Sequence, residues 1–420
     1  MTDILAELQW RGLVAQTTDL EALRIALAEG PITAYCGFDP TASSLHFGNL
    51  LQLVVLRHLQ RAGHRVICLV GGSTGLIGDP SPRAERVLKT KEQTAQWVSR
   101  IQEQCRPFLE FEGGNAARMV DNLDWTAPIS AIDFLREIGK HFRVGTMMRK
   151  DAVATRLASE EGISYTEFSY QILQALDFLH LYRAYGCTLQ TGGQDQWGNL
   201  TAGVDLIHKV EGAVAHLLTT PLIADSHGVK YGKSEGNAIW LASDMTSPYA
   251  FYQYWLNVED ASVVTLLKAF TDRTEDEIAG LERQVADEPF RRTAQQALAS
   301  DVTTLVHGAQ AAHAVQAASE ALFGRGDLRS LDERTLVDAT AELPSAQVCP
   351  GASVVDALVA SGLVESRNAA RRAVADGGVS VNGARVADPS AALDEGDFLH
   401  GRVAVLRRGR KALAAARRDA

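Results

Sequence analysis

Between residues 31 and 80 two short β-prone runs flank one long apolar helix, and this alternation restricts the fold more than any other feature of the 420-residue chain. "ITAYCGFD" (32–39) stops at Pro40, and "RVICLVGGSTG" (65–75) runs into glycines. Leu50, Leu51, Leu53, Val54, Val55, Leu56 and Leu59 lay a wide apolar stripe along the helix between them. Strands and helices at this spacing predict an α/β domain with a parallel, doubly wound sheet. Ligands in such sheets bind beyond the carboxyl ends of the strands. Three polar, glycine-rich strand exits stand there: "CGFDPTASSLHFGN" (36–49), "GGSTGLIGDPS" (71–81) and "CTLQTGGQDQWGN" (187–199). "PLIADSHGVKYGKSEGN" (221–237) reads as a fourth.

The helix after the first exit opens with His46, Phe47, Gly48 and Asn49. Glycine in a first helical turn costs about 1 kcal/mol against alanine, so something is expected to approach the backbone there. A helix start presents free N–H groups and a positive dipole end, which suits an anion. Taken alone, His46 reads more readily as a surface helix residue. Further along, "AIDFLREIGKHF" (131–142) and "SYQILQALDFLHLYRAY" (169–185) read as helices, and Ser247-Pro248 as a helix start. Residues 324–350 have no sustained period and contain Pro344 and Pro350, which predicts a linker. Helical segments joined to short strands from 351 predict a small α+β unit. The expected division is 1–225 (Rossmann-like), 226–323 (loop and helical domain), 324–350 (linker) and 351–420.

Composition excludes several classes. With 46% hydrophobic and 22% charged residues the chain reads as an ordinary globular protein. No apolar run nears the roughly 18 residues of a membrane span, and the acid-containing N-terminus reads as helix, not as a signal peptide. Five cysteines without a C-x-x-C pair predict neither a zinc site nor a disulfide framework, and fit a reducing cytoplasm. The net charge of −10 argues against indiscriminate nucleic-acid coating. Its distribution is uneven, however. Residues 351–420 carry 11 Lys+Arg against 8 Asp+Glu, and the last twenty hold seven basic residues and one Asp. A basic end on an acidic body fits a polyanionic partner, although a solvated basic end would look the same.

"HFGN", "GGQDQWGN" and "KYGKS", in this order and spacing, resemble the class I aminoacyl-tRNA synthetases. "YCGFDPTASSLHFGN" with "YQILQALD" is similar to the bacterial tyrosyl-tRNA synthetases in particular, and the likeness runs end to end. It implies a Rossmann-like catalytic domain, an all-helical domain and an S4-like RNA-binding domain. It also implies the activation of L-tyrosine by ATP, with Mg²⁺ carried on the phosphates and no dedicated metal site, followed by transfer to tRNA(Tyr). A homodimer in the cytoplasm, with 131–142 in the dimer contact, is implied likewise.

The site residues follow from the same resemblance. His46 and Asn49 match phosphate-contacting positions, Asn49 standing where the signature usually has His. Lys230, Lys233 and Ser234 match the loop that closes over the phosphates. Tyr35 and Asp177 match the pair that bonds the phenolic hydroxyl; Tyr170, Gln174 and Asp79 match the ammonium contacts, and Gln196 lies near the carboxylate. Cys36, Gly37, Asp39, Thr41, Gly48, Gly193 and Asp195 match the nucleotide pocket. Arg367, Arg371 and Arg372 are RNA-binding candidates on one helix. Chemistry agrees with much of this: a carboxylate attacking phosphorus needs no base, so catalysis reduces to positioning and charge stabilisation. Tyr170, Gln174 and Asp177 fall at i, i+4 and i+7, hence on one helix face, where a solvated stripe would show the same spacing. A tryptophanyl-type synthetase, a nucleotidyltransferase and a catalytically silent RNA-binding scaffold are the alternatives. Tyr35 with Asp177 argues against the first, the RNA-binding-like end against the second, and His46, Lys230 and Lys233 against the third.

Overall fold

The computed structural model describes residues 3–80, 87–160, 162–223, 238–323, 326–409 and 412–419, with backbone only at 151 and 152. These form two compact units, one of residues 1–245 with 258–294, the other of 246–257 with 295–420.

The first unit is built on six strands: β1 (Gln16–Thr17), β2 (Thr33–Phe38), β3 (Arg65–Val70), β4 (Arg118–Asp121), β5 (Cys187–Gly193) and β6 (His216–Thr220). Their order is β1-β6-β5-β2-β3-β4, parallel throughout except that β1 runs antiparallel to β6. From β2 the chain winds one way through β3 and β4, then returns to add β5 and β6 on the other side. The switch therefore falls between β2 and β5, where a doubly wound sheet opens its crevice.

Burial on both faces explains the near-continuous apolar strands. The helix Phe47–Arg61 packs against β2 and β3. On the core formed with Tyr35, Ile67 and Leu69 lie residues of the helices Tyr165–Tyr185 and Trp197–Glu211, among them Phe178, Leu179, Leu200 and Leu206. Those two helices approach closely because Gly203 faces Phe178; a Cβ there would come within 3.0 Å of the ring. Arg11, only 4% exposed, ties the N-terminal helix Ile4–Trp10 to the helix Asp260–Phe270. Its guanidinium donates to the carbonyls of Lys268 (3.0 Å), Thr271 (2.8 Å) and Arg273 (3.1 Å).

The second unit carries the helices Pro248–Leu256, Ala309–Leu322 and Glu333–Thr340, then a five-stranded sheet. Its strands are β7 (Ser345–Val348), β8 (Val379–Val381), β9 (Ala384–Arg385), β10 (Val403–Arg408) and β11 (Ala412–Arg418), ordered β7-β11-β10-β8-β9. Asn382 and Gly383 turn β8 into β9 with φ of 48° and 85°, the pairing that a two-residue hairpin favours. The helices Val354–Ala360 and Arg367–Ala375 supply Leu358, Ala370 and Val374 to the core of this sheet.

Three segments differ from their sequence reading. Residues 131–142 form short turns rather than one regular helix: Ala131–Asp133, a π-turn Phe134–Ile138 and a 3₁₀ turn Gly139–His141. The wider turn buries Ile138 and sets Phe134 against the core while Ile132 and Leu135 face outward. Residues 324–350, read as a linker, contain the helix Glu333–Thr340 and the strand β7, which pairs in parallel with β11. Pro344 and Pro350 bracket β7 rather than interrupt it, and the eight-residue helix is too short to show a sustained period. The helices Asp260–Phe270 and Glu275–Asp287, placed by sequence with 226–323, group with the sheet of the first unit.

Candidate active site

At the carboxyl end of β4 the chain supplies Asn122 and Trp125, and both reach Asp177 on the facing helix. Asn122 Nδ2 donates to Asp177 Oδ2 (2.9 Å) and Trp125 Nε1 donates to Oδ1 (2.9 Å). The amide is oriented by its other end, because Asn122 Oδ1 accepts from the Ser73 N–H (2.7 Å). Asp177 is 2% exposed. Burial pushes its carboxyl up to about 8, against the pull of these two donors. The Tyr35 hydroxyl is buried without a hydrogen-bond partner among the described residues. Burial, then the charge of Asp177, raises its pKa. A buried acceptor held by two donors, beside an unpaired phenol, makes a place for one further hydroxyl.

Two more carboxylates border the crevice. Tyr170 donates its hydroxyl to Asp39 Oδ2 (2.7 Å), and Thr74 Oγ1 donates to Oδ1 (2.6 Å). Asn122 also reaches Thr74 (3.0 Å), so one polar chain runs from Asp39 to Asp177. Close approach of β3 depends on glycine: a Cβ on Gly71 would stand 2.1 Å from Asp39 Oδ1 and 2.2 Å from Thr74 Oγ1. Asp79 accepts from Gln196 Nε2 (3.0 Å) and Asn199 Nδ2 (2.9 Å). Gln174, one turn beyond Tyr170, keeps a buried Oε1 without a partner among the described residues. The structure thus brings together Tyr170 and Asp39, and separately Asp79 and Gln196. Asp39, read with the nucleotide pocket, binds Tyr170 directly.

The helix start beside β2 is closed by a reciprocal capping box. Gly48 N–H donates to His46 Nδ1 (3.0 Å), and His46 N–H donates to Asn49 Oδ1 (3.1 Å). An imidazole accepting at Nδ1 carries its proton on Nε2, so the cap selects the tautomer that donates there. Asn49 likewise keeps Nδ2 as a donor. The backbone approach read from Gly48 has a local cause too: a Cβ would lie 3.0 Å from His46 Cε1. His46 is backed by Trp240, ring centroids 6.2 Å apart.

Cys36 lies buried on β2, its Sγ 3.8 Å from Gln52 Oε1, and burial pushes the thiol up to about 12. Such a thiol is a packing group, not a nucleophile. Gly37 and Thr41 follow at the β2 exit, where Thr41 N–H closes a turn on the Asp39 carbonyl (2.8 Å). Gly193 and Asp195 leave the neighbouring β5, and a Cβ on Gly193 would meet Asp195 Oδ1 at 2.6 Å. Lys230, Lys233 and Ser234 lie outside the described residues.

Thr74, Asn122, Trp125 and Asn199 complete the site and were not singled out from sequence. Thr74 and Asn199 stand inside glycine-rich exits already recognised. Asn122 and Trp125 follow a strand with no such signal. In the second unit, Arg367 and Arg371 line a cleft of about 480 Å³ with Asp356, Asp388 and Ser390, and Arg372 is exposed on the same helix. Arg367 Nε donates to Asp356 Oδ1 (2.6 Å).

Comparison with known proteins identifies the family of the chain. The family described as "tRNA synthetases class I (W and Y)" matches residues 27–324, and the "Tyrosine--tRNA ligase SYY-like C-terminal domain" matches 335–415. A tyrosine–tRNA ligase of Leifsonia xyli is 63% identical over 97% of this chain and 92% of its own length. One from Streptomyces griseus is 59% identical over 99% and 98%. Among solved structures, a C-terminally truncated mitochondrial tyrosyl-tRNA synthetase of Coccidioides posadasii has 32% identity and a TM-score of 0.67, covering 75% of this chain and 91% of its own. That of Aspergillus nidulans has 29% identity and a TM-score of 0.71, covering 77% and 95%. The chain belongs to the class I tRNA synthetases, in the family of the tyrosine–tRNA ligases, which use ATP to join tyrosine to tRNA.

Proposed function

We propose that tyrosine lies between the Tyr35–Asp177 pair and the Tyr170–Asp39–Asp79 cluster, with ATP over the exits of β2 and β5. The arrangement that carries this reading is Asp177, buried and held by Asn122 and Trp125, beside a Tyr35 hydroxyl that has no partner among the described residues. The substrate phenol donates to Asp177 and accepts from Tyr35. Phenylalanine would leave both groups unpaired, the situation that excludes a substrate lacking a hydroxyl. Tyr170, Gln174 and Asp79 receive the ammonium, for which Gln174 Oε1, without a partner among the described residues, is a ready acceptor. Gln196 lies by the carboxylate.

A tyrosine carboxylate oxygen then attacks the α-phosphorus. The new O–P bond forms as the bridge to the β-phosphate breaks, and pyrophosphate leaves. His46 Nε2 and Asn49 Nδ2 donate to the phosphates, and Lys230, Lys233 and Ser234 cover them. Cys36, Gly37, Thr41, Gly48, Gly193 and Asp195 border the adenosine, with Asp39 shared between the two substrates. Mg²⁺ would travel with the ATP phosphates, as it does when it is held by one or two carboxylates and substrate phosphates. Transfer to tRNA(Tyr) uses the second unit, with Arg367, Arg371 and Arg372 facing RNA.

The working particle is a cytoplasmic homodimer. Ile132, Leu135, Val144, Met148 and Tyr165 all stand exposed within 131–165, and Ile132 and Tyr165 are 71% and 69% accessible. Exposed apolar side chains concentrated in one segment suit a partner surface. No helix of the described residues is long and apolar enough to cross a membrane. The central reading is tested by ATP–pyrophosphate exchange with a panel of amino acids. Exchange driven by tyrosine and not by phenylalanine or tryptophan is expected; equal exchange with phenylalanine would overturn the phenol assignment.

A further inference from the structure

We propose that His180 is a positioning residue for tyrosine recognition: its imidazole holds the Trp125 indole in the orientation from which Nε1 donates to Asp177. This rests on the reading that Asp177 receives the substrate hydroxyl. The two rings are stacked, with centroids 4.3 Å apart and planes 10° from parallel. His180 follows Asp177 by three residues on the helix Tyr165–Tyr185, so both lie on one face, one turn apart. Trp125 spans them, its nitrogen on Asp177 and its ring on His180.

The indole is partly buried against the core around Tyr35 and Phe178, and the imidazole adds a support on the side of the helix. Trp125 sits on the short turn Leu123–Thr126, which buries none of its residues fully. Beside it opens a cleft of about 360 Å³, lined by Asp121, Asp124, His180 and Tyr185 among others. A tryptophan freed from its stack can turn into that cleft and carry Nε1 away from Asp177. The other donor, Asn122, is fixed at both ends of its amide and needs no comparable clamp. Burial, followed by the charge of Arg183, lowers the pKa of His180 and favours the neutral ring that stacks flat on indole. The imidazole thus acts on substrate through Trp125 and touches no reacting atom.

The experiment compares His180→Ala, His180→Phe and Asp177→Asn with the parent in ATP–pyrophosphate exchange. KM for tyrosine, KM for ATP and the tyrosine-to-phenylalanine ratio of kcat/KM are measured. A lost aromatic stack corresponds to about 3- to 10-fold. His180→Ala should raise the tyrosine KM and lower the ratio by that factor, with the ATP KM and kcat at parent values. His180→Phe, which stacks but cannot hydrogen-bond, should restore both. Parent behaviour in His180→Ala, equal loss in both His180 variants, or a parallel rise in the ATP KM would each overturn the proposal. Asp177→Asn separates the two levels. If it collapses the ratio while His180→Ala does not, only the clamp is wrong. If it leaves the ratio intact, the phenol reading fails and the clamp falls with it.

Discussion

Asp177 shows how one residue's chemistry is set by neighbours distant in sequence. Its ionised form accepts from Asn122, Trp125 and, in the proposed complex, the substrate phenol. Because burial holds the carboxyl up to about 8, raising the pH toward that value increases the ionised fraction. kcat/KM for tyrosine is therefore expected to rise with pH and level off above about 8. Trp125→Phe removes a donor that favours the charged form. It should move the plateau to higher pH and raise the tyrosine KM about tenfold, as expected for one bond to a charged group. Exchange rates from pH 6 to 9 measure both. Gly71→Ala tests the next link, since its Cβ would displace the Asp39 carboxylate from Thr74 and Tyr170. A stability loss of about 1–3 kcal/mol in urea titration is expected, together with weaker tyrosine binding. Tyr170, Gln174 and Asp177 were singled out by family resemblance, with helical spacing placing them on one face. Asn122 and Trp125 were not, because nothing local distinguishes a donor aimed at a buried acid from an ordinary loop residue.

Among the elements, helix ends carry much of the information. The charge pattern of the last twenty residues suggested a polyanionic partner, yet several of those arginines are engaged within their own unit. Arg407 donates to the carbonyl of Leu322 (2.7 Å) and Arg417 to that of Thr340 (3.0 Å), the closing turns of two helices. Arg402 and Arg418 pair with Glu333 and Glu395. Cations at helix C-termini satisfy orphan carbonyls and the negative dipole end, so net charge alone overstated what is available to RNA. Arg11 does the same in the first unit, and Arg11→Ala would leave the Lys268, Thr271 and Arg273 carbonyls without its donors. A loss of about 3 kcal/mol is expected in the urea transition of that unit. The π-turn at 134–138 escaped the sequence because apolar spacing there fits an α-helix nearly as well.

At the scale of the molecule, the segment 131–165 and the second unit bear the remaining predictions. Ile132→Asp with Tyr165→Asp should convert the proposed dimer into a particle of half the mass, read by sedimentation at micromolar protein. Removal of 351–420 should preserve tyrosine-dependent exchange and abolish tRNA charging. It would also bare Leu322, Leu328 and Leu336, which share a core with Leu399, Val403, Val405 and Leu413, so binding of a hydrophobic dye should increase.

Strands β2 and β3, the helix between them and the glycine-rich exits were legible in the chain itself, because periodicity and glycine act over a few residues. Family membership was equally legible from the order and spacing of short motifs. Tertiary structure alone decided which carboxylate meets which donor, which arginines are consumed by helix ends, and that Glu333–Thr340 and β7 fold with their neighbours. Those outcomes depend on contacts between residues tens to hundreds of positions apart, and burial there changes both the proton affinity and the partners of each polar group.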